Sequence, residues 1–131
     1  RLVAALRAIP RDAVRAAVKV INLQLFCEES VLSDTVTGIN VPPGVKDADV
    51  RGIMAEKYGI MISGGLQKMS GKLMRIGHMG ETAQPKYIRP TILALEAALT
   101  DVGFKFERGD GVRAADEILK QIEVKKEVSP L

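Results

Sequence analysis

Apolar residues recur along this chain with two different periods, and the switches between them divide it into elements. Leu2, Val3, Leu6 and Ile9 fall at helical spacing, and Val14, Ala17, Val18 and Ile21 resume the stripe. Between them stands Pro10. A proline inside a helix removes one hydrogen bond and crowds the preceding turn, so Pro10 ends this helix, kinks it, or opens a second one. Asn22 suits a left-handed helix end. Residues 23–26 then read as a short strand and residues 28–33 as a polar loop. Residues 35–41 alternate, with Thr35, Thr37, Ile39 and Val41 on one face and Val36, Gly38 and Asn40 on the other. Pro42-Pro43-Gly44 stops that strand. Asp47 or Asp49 suits the cap of a second helix presenting Val50, Ile53, Met54 and Tyr58, which Gly59 closes.

Period two returns in residues 60–63 and 73–78, which flank a glycine-rich loop. In the second run Leu73, Arg75 and Gly77 share one face, and Met74, Ile76 and His78 share the other. A polar link over residues 81–86 leads to a helix over 88–102, with Ile88, Ile92, Leu95, Leu99 and Val102 as its stripe. Pro90 belongs in the first turn of that helix, where no donor is missed. Gly103 ends it, 104–107 is a short extended piece and 108–111 a turn. Residues 112–122 form the last helix, and 123–131 a charged, fraying tail. The order of elements predicts an α+β fold, a small antiparallel or mixed sheet with helices packed on one face. The alternating strands imply that the other face is solvated or covered by a partner.

Composition narrows the functions open to such a fold. The chain has 131 residues, one domain's worth, 47% hydrophobic and 27% charged, the make-up of a globular protein. The formal charge is only +3 and the basic residues are scattered, so no nucleic-acid partner is indicated. No run of about 18 apolar residues occurs, so no membrane partner is indicated either. The single cysteine, Cys27, makes no internal disulfide, which fits a reducing, cytoplasmic setting. One histidine, His78, leaves little from which to build a histidine metal site or a triad, and no metal is expected. The chain opens at Arg1 already inside a helical pattern and reads as a domain of something longer.

The chemistry concentrates in residues 60–80. A guanidinium on a strand at the edge of a core needs a partner, because an unpaired charge there is expensive. For Arg75 that partner is an internal carboxylate or an anionic ligand. The loop from Gly64-Gly65 to Gly71-Lys72 is no phosphate loop. Five residues separate Gly65 from Gly71 where that motif has four, and Leu73 replaces its hydroxyl. The glycines instead permit positive φ and close backbone approach to a substrate or a neighbouring domain.

These residues carry a family resemblance. Gly64-Gly65-Leu66, Gly71-Lys72, Arg75-Ile76-Gly77 and Gly80 resemble the pattern of the C-terminal small domain of class V aminotransferases. Those are fold-type I enzymes of the alanine–glyoxylate and serine–pyruvate aminotransferase group. Ser33-Asp34-Thr35-Val36-Thr37 and Val41-Pro42-Pro43-Gly44-Val45 are similar to the same family, and the likeness runs from about Leu23 to about Gly103. Gln67-Lys68 depart from it, standing where a Gly-Pro-like pair is common.

The resemblance implies a pyridoxal phosphate cofactor held by a large domain upstream, which also brings the Schiff-base lysine. It implies that Arg75 binds the carboxylate of an amino acid or 2-oxo acid substrate such as glyoxylate or pyruvate. Gly64, Gly65, Leu66 and His78 are candidates to line the cleft, and no catalytic residue falls in this segment. The complete enzyme would be a homodimer, and the segment alone would be inactive. A non-enzymatic α+β module that binds small carboxylates, or an interaction domain, is the rival expectation.

Overall fold

The computed structural model describes residues 2–26 and 35–128; Cys27 and the polar loop expected over 28–33 lie outside these residues. Helix α1 (Leu2–Val20) leads through β1 (Gln24–Leu25) and β2 (Val36–Asn40) to α2 (Asp47–Tyr58). Strands β3 (Ser63–Gly64) and β4 (Leu73–Gly77) follow, then α3 (Pro85–Asp101) and α4 (Asp110–Val128). The four strands form one sheet in the order β1-β2-β4-β3, antiparallel throughout, so the mixed alternative drops out.

Helix α1 runs unbroken through Pro10, which lies inside it. Packing accounts for this. Ile9, Ala13, Val14, Ala17, Val18 and Ile21 are all buried, and α1 makes its most extensive contact with α4. A stripe that long outweighs one missing hydrogen bond. Asn22 does adopt the left-handed conformation (φ 68°), as does Gly59 behind α2.

Other boundaries moved. The cap position of α2 is Lys46, not Asp47 or Asp49, and no side chain caps it. The two aspartates sit in its first turn, where the helix dipole favours them. Tyr58 is 46% exposed and does not join Val50 and Met54 in the core. Helix α3 begins at Pro85, so Pro90 lies beyond the first turn, and a short 3-10 helix over Gly80–Ala83 occupies part of the expected link. The expected extended piece at 104–107 is no strand. Helix α4 continues through Val128 where a tail was expected from residue 123.

Helix α3 is the hub. Ala94 to Leu99 are buried without a break, because α1, α2 and α4 all pack on it. Against these helices the sheet lays Thr37, Ile39, Met74, Ile76 and His78, all buried. Val36, Arg75 and Gly77 lie on the opposite face and are less enclosed. On that face Phe26 and Leu73 close over Gly38, which buries Leu73 although it shares Arg75's side. The sheet thus has one face committed to the core and one that faces outward with a cation on it.

Candidate functional site

Arg75 stands in the middle of β4, opposite Gly38 of β2 and Ser63 of β3. It is half-buried, and its Nε donates to the carbonyl oxygen of Gly64 at 3.0 Å. Among the described residues no carboxylate pairs with it, and the two terminal nitrogens of its fork make no bond to protein. Two hollows meet at this side chain. One of about 160 Å³ is lined by Leu25, Phe26, Val36 and Leu73. The other, of about 450 Å³, is lined by Ser63, Gly77, Tyr87 and Thr91. A wider groove along α1, past Arg11 and Lys19, does not include Arg75.

The hairpin beside it is built to hold its shape. A Cβ at Gly65 would lie 2.1 Å from the carbonyl oxygen of Met69, so no other residue fits there. Leu66 is 70% exposed and lines neither hollow. Gln67 takes a left-handed backbone (φ 50°), at the position where the sequence departs from the resembled pattern. Gly64 supplies the carbonyl that anchors Arg75, and behind it lies a pair the sequence did not single out. Arg51 Nε and Asp47 Oδ2 are 3.0 Å apart. Their i, i+4 spacing signals an ion pair on α2, but nothing local signals that the pair would rest on a hairpin downstream.

His78 lies elsewhere. It follows β4 by one residue, so alternation turns it to the helical side, away from Arg75. It is 2% exposed, its backbone N–H donates to the carbonyl of Thr35, and its Nε2 lies 2.8 Å from the hydroxyl of Thr37. Arg15 of α1 donates from Nε to that same hydroxyl at 3.4 Å. Among the described residues no three His, Cys, Asp or Glu side chains gather as metal ligands, and no helix is long and apolar enough to cross a membrane.

No family-level profile matches the chain. An uncharacterised aminotransferase of Methanocaldococcus jannaschii is 38% identical over 107 residues, which is 82% of this chain and 27% of that protein. A pyridoxamine–pyruvate transaminase of Mesorhizobium japonicum is 38% identical over 109 residues, again 82% of this chain, and 28% of the relative. Among solved structures, the ureidoglycine–glyoxylate aminotransferase of Bacillus subtilis superposes with a TM-score of 0.84 at 27% identity, over 88% of this chain and 30% of that one. The chain therefore spans between a quarter and a third of the proteins it matches. Over about 82% of this chain its relatives are class V aminotransferases, and it is similar to a segment of them the size of one small domain.

Proposed function

We propose that this chain is the small domain of a pyridoxal-phosphate-dependent aminotransferase. In that reading Arg75 takes the carboxylate of an amino acid, or of a 2-oxo acid such as glyoxylate or pyruvate. The supporting observation is the guanidinium itself, half-buried, anchored at Nε, with its fork unclaimed among the described residues. A carboxylate arriving there receives two parallel, charge-assisted hydrogen bonds that fix its plane, which a lysine's point charge would not do. Relatives named for pyruvate and glyoxylate supply the substrate class.

On this reading no lysine among the described residues forms the Schiff base. Pyridoxal phosphate, which when bound acts as an electron sink for the substrate carbanion, is on this reading held by a separate large domain. The part of this segment is to hold the acid and turn the substrate to a fixed orientation. Assembly as a homodimer belongs to the same reading.

In the complete enzyme, Arg75→Ala should lower kcat/KM by roughly 2–5 kcal/mol, the range for removing one partner of a desolvated charge pair. Arg75→Lys should recover only part of the loss, since charge returns without the fork. Steady-state kinetics with a 2-oxo acid acceptor tests both, and near-wild-type values for Arg75→Ala would take Arg75 out of the site.

A further inference from the structure

We propose that the Asp47–Arg51 pair and Gly64 together aim the Arg75 guanidinium, making Asp47, Arg51 and Gly64 positioning residues; this rests on the carboxylate-binding reading of Arg75. Three contacts form the chain. Arg51 is bonded to Asp47 through Nε at 3.0 Å and a terminal nitrogen at 2.9 Å, so its plane is fixed at two points. That pair is set into the fold, with the Asp47 side chain only 10% exposed and that of Arg51 35%. Gly64 lies flat on it. A Cβ there would sit 3.0 Å from Asp47 Oδ2 and 3.1 Å from both Cζ and Nε of Arg51.

The Gly64 carbonyl then accepts the Arg75 Nε–H at 3.0 Å. An arginine bonded only at Nε keeps its fork free but loses rotation about its long stem. The direction of the fork is therefore set by the tilt of the Gly64 peptide. That tilt is set by what the peptide rests upon, because among the described residues β3 pairs with β4 through Ser63 and Gly64 and has no partner strand on its outer side. The ion pair on α2 is the support the missing strand would otherwise give.

The test measures binding of propanoate, a carboxylate that cannot react, to the holoenzyme by calorimetry. Gly64→Ala should weaken it about tenfold, the weight of one hydrogen bond to a charged group. Arg51→Lys keeps a cation beside the Asp47 carboxylate but cannot hold it at two points, so it should weaken propanoate binding severalfold with little change in the unfolding midpoint, which keeps the test open if Gly64→Ala does not fold. A structural defect would instead lower the midpoint in step with affinity. Wild-type affinity in Gly64→Ala or in Arg51→Lys overturns the positioning role while leaving Arg75 in the site. Wild-type affinity in Arg75→Ala overturns the underlying reading itself.

Discussion

Thr37 shows how much one hydroxyl carries in this core. It is 1% exposed, and its oxygen meets both His78 Nε2 and Arg15 Nε, so it ties β2 to the end of β4 and to α1. Thr37→Val keeps the shape and deletes the hydroxyl, taking a partner from a buried imidazole nitrogen. The expected loss is about 1–3 kcal/mol, read as a lower urea midpoint at unchanged m-value. An unchanged midpoint would mean the hydroxyl is dispensable. Alternation grouped Thr37 with Ile39 and His78 with Met74 and Ile76, as the strands show, but it did not say that these faces turn inward, and His78 was expected at the cleft. Nor did it place Thr37 and His78 together, because alternation assigns faces while register decides which residues meet, and register is a tertiary property. The same limit hid the contact between Asp47–Arg51 and Gly64, whose partners are local on one side and remote on the other.

At the scale of elements, the junction of α3 and α4 has a comparable dependence on one side chain. Glu96 is 1% exposed in the middle of α3, where the amphipathic reading gave no reason to single it out. Its carboxylate accepts from the backbone N–H of Gly109 and, at 2.9 Å, from that of Val112, so it satisfies the free amides at the start of α4. Glu96→Ala should cost about 1–3 kcal/mol, and Glu96→Gln less because one acceptor oxygen remains, measured as shifts of the thermal midpoint. A second cross-helix link, Lys57 of α2 to Asp101 of α3 at 2.9 Å, is on the surface. The hydrogen bond to Asp101, reinforced by its charge, holds the Lys57 ammonium above the usual lysine range. A raised folded value means that this small contribution is whole below the unfolded lysine range and is lost as pH climbs through the folded value. Lys57→Met should therefore lower stability slightly at neutral pH and abolish the corresponding slight fall at the alkaline end, read from urea midpoints across that pH range. Helix and strand types were largely readable from periodicity. Their ends were not, since Pro10 and Pro90 are overruled by buried stripes and β3 shrinks to Ser63–Gly64 because its edge has only one neighbour.

At the scale of the whole molecule, the sheet has one face in the core and one turned outward. Among the described residues α1 and α2 contact the strands and α4 packs on α1 and α3, with the core centred on α3, and the outward face of the sheet carries Arg75 between two hollows. That one-sidedness was legible from the strands' alternation. Which strand neighbours would flank the arginine was not, because the order β1-β2-β4-β3 comes from long-range pairing. On the proposed reading this layer presents a cation to an acid, and the cofactor is held by another domain. The lysines of this chain among residues 8–26 and 35–122 are all exposed. The 131-residue chain, mixed with pyridoxal phosphate and then desalted, should accordingly keep no Schiff-base absorbance band and should transfer no amino group from alanine or serine to glyoxylate. Far-ultraviolet circular dichroism on the same sample must show the helices intact, so that inactivity is not mistaken for unfolding. A band that survives desalting, together with turnover, would mean that this segment holds the cofactor by itself, and the division of labour proposed for it would be wrong.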